Sequence, residues 1–323
     1  MISAICTLFE GHYHYGVAAL SNSLYKQGFR GTVYVGYRGD LPSWALKGKK
    51  EAVGIWEGAI TLSPVEGIQL VFLSLSTTYS LTNYKPDFML ELWEGPAKNA
   101  DAFFYFDPDI VIDDSWSCFE QWVNCGVAVC EDVNSPLQEF HPRRVGWRKY
   151  FSKYDISLNF KNQTYVNGGF VGLLKKDILF LTTWITLQEK MGIAIGGLEN
   201  SIFSKLVYNS TIFKTEGFQI FDKSDQDALN ATIEVYNGSI SFLGKEGMGF
   251  IPGKATMLHA LGSDKPWNVK LILKAFKGRI PRFVDEYYWK HTDMPIIAHT
   301  KGEIWRKKIA IKISKFIGRF YKI

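Results

Sequence analysis

Two aspartates one residue apart end an apolar run in this chain: Phe103-Phe104-Tyr105-Phe106-Asp107-Pro108-Asp109, after which Ile110-Val111-Ile112 resumes it. The run predicts a buried strand that finishes in a charged site. Four consecutive aromatics and a β-branched triplet favour extended structure covered on both faces, while the carboxylates have no apolar surface to satisfy. Two ionised carboxylates that close repel, and a hard divalent cation between them relieves the repulsion. Asp-Pro-Asp is equally good turn chemistry, with proline presetting φ and aspartate capping the turn. The tripeptide alone leaves both open.

Three later stretches carry side chains suited to the same kind of site. Tyr165-Val166-Asn167-Gly168-Gly169-Phe170 joins a strand pattern to two glycines that leave room for a ligand, or make a plain tight turn. Ser224-Asp225-Gln226-Asp227 reads as a helix start, in which Ser224 or Asp225 caps the helix and carboxylates suit the first turn. Capping accounts for one aspartate and leaves Gln226 and the second carboxylate unexplained. His259, Gly262 and Lys265 fall within seven residues, an imidazole to complete a carboxylate metal site beside a glycine and a lysine suited to phosphate.

The elements around them predict an α/β sheet. A strand over Ser3–Leu8, a helix over Tyr15–Lys26 closed by Gly28, and a strand over Gly31–Tyr37 make a βαβ unit, and such units gather ligands at the carboxyl ends of parallel strands. Ala59–Leu62 predicts a further strand, Asp87–Trp93 a helix after Pro86, and Val123–Cys130 another buried strand. Residues 140–163 mix aromatics with Arg143, Arg144, Arg148 and Lys149. They suit either contact with a sugar or a surface helix whose arginines snorkel over apolar neighbours.

Hydrophobic residues at 46% and charged residues at 21% of 323 are an ordinary globular balance, and 15% aromatic suits a site that stacks rings. The net charge of +5 is unevenly spread: residues 266–323 carry 14 Lys/Arg against 4 Asp/Glu, so the preceding body is slightly acidic. A basic footprint confined to one end argues against nucleic acid as a partner. The four cysteines match no zinc spacing and are expected to be reduced core thiols. The first residues lack a basic leader and an apolar core segment, and no stretch reads as a membrane span, so a cytoplasmic protein is expected. The sequons at Asn162, Asn209, Asn230 and Asn237 are then chance matches.

Near the end, Trp305, Ile309, Ile313, Phe316 and Phe320 recur at helical spacing, with Lys308, Lys312, Lys315, Arg319 and Lys322 on another stripe. This predicts a basic amphipathic helix over about 303–322, whose apolar face either meets a bilayer surface or docks on the protein's own core.

In their order along residues 3–267, these pieces resemble glycosyltransferase family 8, the retaining nucleotide-sugar enzymes that include the lipopolysaccharide galactosyl- and glucosyltransferases and glycogenin. The resemblance rests on the first strand with Tyr13, Asp107-x-Asp109, Asn167-Gly-Gly, Asp225-Gln226-Asp227 and His259-x-x-Gly262-x-x-Lys265-Pro-Trp. It implies the glycosyltransferase A fold, a mixed and mostly parallel sheet between helices, with residues 1–267 as the catalytic domain and 268–323 as a basic extension. It also implies manganese, or magnesium, held by Asp107, Asp109 and His259, and a UDP-sugar donor contacted by Thr7, Tyr13, Lys85, Asn167, Gly168, Gly262 and Lys265. Gln226, Asp225 and Asp227 are the implied catalytic group, and the acceptor would be a glycan or a lipid-linked glycan. The family's lipid-linked acceptors favour peripheral membrane contact for the tail.

Two departures stand out. Leu8, Phe9 and Glu10 occupy the region where the family has an aspartate for the uracil, and Lys85 or Lys98 replaces its arginine upstream of the paired aspartates. Asp107-x-Asp109-x-Val111 also fits the nucleophile motif of haloacid-dehalogenase-type phosphatases, but there the motif belongs on the first strand, and here a βαβ unit precedes it. A non-catalytic sugar-binding relative would be expected to have lost one of the metal ligands.

Overall fold

The predicted βαβ unit opens the chain in the computed structural model, which describes residues 1–201 and 219–321. β1 (Ser3–Glu10) leads through α1 (His14–Lys26) to β2 (Gly31–Arg38), which pairs parallel with β1, Ile5 opposite Val33. The sequon at Asn209 and Lys322 of the basic stripe lie outside the described residues.

The region read as one strand near Ala59–Leu62 is a meander of three. β3 (Lys49–Val53), β4 (Trp56–Val65) and β5 (Ile68–Ser74) pair antiparallel, and β5 also runs parallel to β2. The continuous apolar run of β5, turned at Glu66-Gly67, fits its central position. Then follow α2 (Lys85–Glu94), β6 (Ala102–Phe106), β7 (Ile110–Ile112), α3 (Trp116–Trp122), β8 (Val127–Cys130), α4 (Pro142–Phe151), β9 (Phe170–Leu174), α5 (Leu179–Ile195), α6 (Ser224–Val235), β10 (Ile240–Leu243) and β11 (Met257–His259). The order across the sheet is β10-β8-β9-β6-β1-β2-β5-β4-β3. Only β4 and β9 run against the common direction, so the sheet is mixed and mostly parallel. Two cores lie on its faces, one under α2, α5 and α6 and the other under α1 and α3.

Several expectations need correction. The strand expected over Val123–Cys130 begins only at Val127, because Val123–Cys125 forms a short turn of 3-10 helix. Cys6 and Cys130 are buried, whereas Cys118 is half-buried and Cys125 is exposed. Lys175–Ile195 is, by length and a mean hydropathy of 1.2, apolar enough to cross a membrane. Its Phe180, Leu181, Trp184, Leu187 and Met191 are buried in the first core.

Beyond Trp267 the chain forms α7 (Leu271–Ala275), α8 (Phe283–Lys290) and α9 (Lys301–Gly318). Trp289, Ile304 and Ile311 pack with Ala19 of α1. Asn22 of α1 donates to the carbonyls of His291 at 2.7 Å and Ile296 at 2.8 Å and accepts from Ile296 N, which staples this segment to the first βαβ unit. α9 starts at a capping box between Thr300 and Glu303. The face it buries holds Ile304, Ile311, Ser314 and Gly318. The apolar stripe expected to meet either a bilayer or the core points the opposite way, with Trp305 66%, Phe316 58% and Phe320 75% exposed.

Candidate active site

β6 ends at Phe106 and β7 begins at Ile110, so Asp107-Pro108-Asp109 is the link between the main sheet and a two-stranded ribbon of β7 with β11. In that ribbon His259 stands opposite Ile110, and Ala260 N donates to the Asp109 carbonyl at 3.1 Å. The backbone therefore carries His259 to the aspartates across 150 residues of chain. The ligand atoms of Asp107, Asp109 and His259 lie within 4.8 Å of one another, with His259 Nε2 3.3 Å from Asp109 Oδ1. Pro108 costs the ribbon nothing, because no amide hydrogen is needed there. Its carbonyl oxygen abuts Gly16 of α1 so closely that a Cβ on Gly16 would overlap it.

The two glycines after Asn167 make room for the site's own side chains. A Cβ on Gly169 would sit 2.6 Å from the His259 ring and 3.0 Å from Asp107 Oδ2, and one on Gly168 would sit 2.8 Å from Asp225 Oδ2. Gly262 takes a φ of +82°, a conformation that favours glycine.

Lys85, at the start of α2, is buried between two carboxylates. Its Nζ donates to Asp225 Oδ2 at 2.7 Å and to the Gly168 carbonyl at 2.8 Å, and lies 3.1 Å from Asp107 Oδ1. Burial disfavours its charge, but Asp107 and Asp225 outweigh that and hold its pKa above the usual lysine value. Lys98, the other residue considered for this role, lies at the surface, where its carbonyl accepts from Lys175. On the other side, Lys265 pairs with Asp109, donates to the Ala260 carbonyl at 2.7 Å and lies 5.6 Å above the Tyr13 ring. Burial alone would raise the Asp109 pKa, yet His259 and Lys265 hold it well below the usual carboxylate range.

These residues line one cleft of about 630 Å³, together with Leu8, Phe9, Glu10, Asn167, Gln226 and Gly262. Asn167 is fixed within it, donating to Asp132 Oδ2 at 2.7 Å and accepting from Gly169 N at 2.9 Å. Gln226 Oε1 accepts from Gly168 N at 3.1 Å. Gln226 Nε2 and Asp225 Oδ1 are buried with no hydrogen-bond partner among the described residues.

Two residues expected in the site lie elsewhere. Thr7 is wholly buried inside β1, outside the cleft lining. Asp227 is also wholly buried and faces away from the cleft. Its Oδ1 accepts from Tyr165 at 2.6 Å and pairs with Arg143, while its Oδ2 accepts from the amides of Asp222 and Lys223 at 2.6 and 2.9 Å. The carboxylate that satisfies the amides before α6 is thus Asp227, where Ser224 or Asp225 was expected as the cap. Of the arginines expected either to contact a sugar or to snorkel at the surface, Arg143 and Arg144 are buried, pairing with Asp227 and Glu234, and Arg148 is half-buried.

Asp132, not among the residues expected in the site, lines the cleft and anchors Asn167. It had the signal that marked Asp107: a carboxylate just past the end of a buried strand, here β8. Arg282 is a second residue not expected near the site. It pairs with Asp285 at 2.8 Å and donates to the carbonyls of Leu261 and Asp264 at 3.0 and 2.5 Å, gripping the loop between His259 and Lys265 from outside.

No family model and no curated protein sequence matches this chain. Solved structures do. The apo structure of the bifunctional glycosyltransferase WbbM aligns with 95% of this chain at a TM-score of 0.52 and 14% identity. The chain spans 51% of that protein's length. The galactosyltransferase LgtC, in complex with donor and acceptor sugar analogues, aligns with 94% of this chain and 99% of its own at a TM-score of 0.51 and 14% identity. With the sheet order and the position of Asp107-x-Asp109, these likenesses show that the chain has the glycosyltransferase A fold.

Proposed function

We propose that this chain is a retaining, metal-dependent hexosyltransferase of the family 8 type. It moves galactose or glucose from a UDP-sugar to a glycan or glycolipid acceptor, as in bacterial surface polysaccharide or lipopolysaccharide synthesis. The observation that carries the proposal is one cleft holding the Asp107–Asp109–His259 triad and, facing it, Asp225 and Gln226 with buried polar atoms awaiting partners.

Two carboxylates and an imidazole in that arrangement fit a divalent cation, and the imidazole suits manganese better than calcium, with magnesium the second choice. When bound, the cation supplies a Lewis acid for the charge that develops on the leaving diphosphate. Lys265 and the backbone at Gly262 stand beside that position as preorganised positive partners. Tyr13, Leu8 and Phe9 line the part of the cleft assigned to the base. Asp225 and Asn167 hold sugar hydroxyls, with Lys85 orienting Asp225.

A covalent route needs a nucleophile on the face opposite the leaving group. Gln226 is an amide, and both oxygens of Asp227 are engaged away from the cleft. This supports attack from the front face. The bond from the anomeric carbon to phosphate breaks, the acceptor oxygen bonds that carbon on the same side, and the acceptor's proton passes to the departing phosphate oxygen.

Residues 268–323 are assigned as an extension that contacts the inner face of the cytoplasmic membrane through the outward stripe of α9 and its lysines. The deciding experiment is a screen of UDP-hexoses with manganese for transfer or hydrolysis. Turnover of one donor, abolished by Asp109→Asn, is expected. Silence with every nucleotide-sugar would refute the enzyme.

A further inference from the structure

A second cavity, of about 670 Å³, lies between α7 and α9. Trp267, Trp289 and His299 line it, together with Leu271 and Leu273 of α7 and Ile309 of α9. The Trp267 ring meets Tyr13 edge-on at 5.4 Å, so a single aromatic contact separates this groove from the cleft. The cavity falls in the range of about 300–1,000 Å³ in which ligands are enclosed.

The side chains select the occupant. The lining is mostly aliphatic and aromatic, with Asn268, His299 and Glu303 as its uncharged-polar and acidic exceptions, so it favours an apolar chain over a ring that carries a hydroxyl on nearly every carbon. The charge on the lining is mainly positive, three cations against the one carboxylate of Glu303. Lys270 and Arg306 line the cavity, and Lys307 donates to the Val269 carbonyl at 2.8 Å with its ammonium 5.7 Å from the Trp289 ring. Lys270 makes no ion pair among the described residues.

The surface around the groove continues the pattern. Leu273, Phe276, Phe316 and Phe320 are largely exposed, and Tyr321 donates to the Phe276 carbonyl at 2.8 Å, tying the end of α9 to the segment after α7. A largely apolar slot with an excess of cations on its lining, beside an exposed apolar and basic surface, matches the two halves of one molecule: an acyl chain and the phosphate that carries it.

We propose that the groove between α7 and α9 binds one acyl chain of an anionic phospholipid, with Lys270 and Arg306 at its phosphate. This deepens the membrane contact assigned to the extension and rests on it for the bilayer, though not for the groove itself. Held this way, the chain would fix the cleft's position relative to the membrane surface, beyond what a surface helix alone provides.

The test uses the full-length protein and two probes. Vesicles of phosphatidylglycerol carrying a trace of lipid with a photoactivatable group deep in the acyl chain are irradiated, and the adducts are mapped by mass spectrometry. Adducts are expected in residues 267–273 and 305–310. Ala310→Trp, which fills the slot, is expected to cut their yield about tenfold while co-sedimentation with vesicles persists, since two methylenes withdrawn from contact are worth about that factor. Leu273→Gln, at an exposed position, provides a second variant that keeps the fold and should also lose adducts. Adducts confined to Phe316 and Phe320, an unchanged yield in both variants, equal yield from phosphatidylcholine vesicles, or a lipid-free dimer that seals the groove would each overturn the proposal.

The second probe is a short-chain phosphatidylglycerol below its micelle concentration, titrated against tryptophan fluorescence. Saturable binding that both variants weaken is expected. Such binding without vesicle association would keep the groove and remove the bilayer contact, whereas vesicle association without it would do the reverse.

Discussion

The ammonium of Lys85 lies 2.7 Å from Asp225 Oδ2, with both side chains almost completely buried. Because the same ammonium is 3.1 Å from Asp107, one cation couples the candidate metal site to the candidate sugar site. Removing it by Lys85→Met leaves the buried Asp225 carboxylate and the half-buried Asp107 carboxylate without the cation between them. We expect a loss of about 3–5 kcal/mol in stability, as for other broken buried pairs, together with loss of turnover. Urea denaturation and donor hydrolysis measure the two effects, and near-wild-type values of both would refute the coupling.

Asp225 and Asp227 are separable by substitution. Asp225→Asn loses the ion pair with Lys85 and with it some stability, and is expected in addition to lower the turnover of the folded enzyme at least about 100-fold, because Asp225 lines the cleft. Asp227→Asn breaks the pair with Arg143 and is expected to lower the melting temperature markedly, with the remaining folded enzyme still active. The reverse pattern would restore Asp227 to the chemistry.

Gly169→Ala places a methyl group against His259 and Asp107. Manganese-dependent binding of UDP, followed by calorimetry, should weaken about 10- to 100-fold, the range seen when a ligand's support is disturbed. Unchanged affinity would exclude the triad as the metal site.

Arg282 acts on the loop at Gly262 without reaching the cleft. Arg282→Gln should raise KM for the donor about tenfold with a smaller effect on kcat, because two loop carbonyls lose their donor. A fall in kcat alone would contradict a positioning role.

Stability should also depend on pH. Burial holds His14, His291 and His299 down to about 4, against an ordinary value of about 6.5. Between these values the unfolded chain binds more protons than the folded one, so stability present above pH 6.5 is lost as pH falls towards 4. Asp87, pushed up to about 6 by burial, works in the opposite direction, as do Asp113, Asp225 and Asp227, which burial also raises, but these carboxyls start from a lower ordinary value and weigh less between pH 7 and 5 than three histidines. The urea midpoint should therefore be lower at pH 5 than at pH 7, and His291→Gln should shrink the difference.

What the sequence by itself determined were the features written in neighbouring residues. The apolar run into Asp107 and Asp109, the first βαβ unit, the helix at Ser224 and the amphipathic period of α9 are local patterns, and each formed where its residues required. The clustering of Asp107, Asp109 and His259 was legible only through a resemblance, since no local rule brings His259 across 150 residues. Tertiary structure alone decided which charges reach the cleft and which support it. Lys85 and Lys98 are both lysines upstream of the strand, and only the helix phase and packing of α2 bury the first between carboxylates. Asp225 and Asp227 are two residues apart, and the α6 helix turns one towards the cleft and the other towards Arg143. The stripe that α9 buries was likewise chosen by the shape of α7 and α8 beneath it. A side chain's direction depends on the surface its element packs against, and that surface is assembled from parts of the chain far away in sequence.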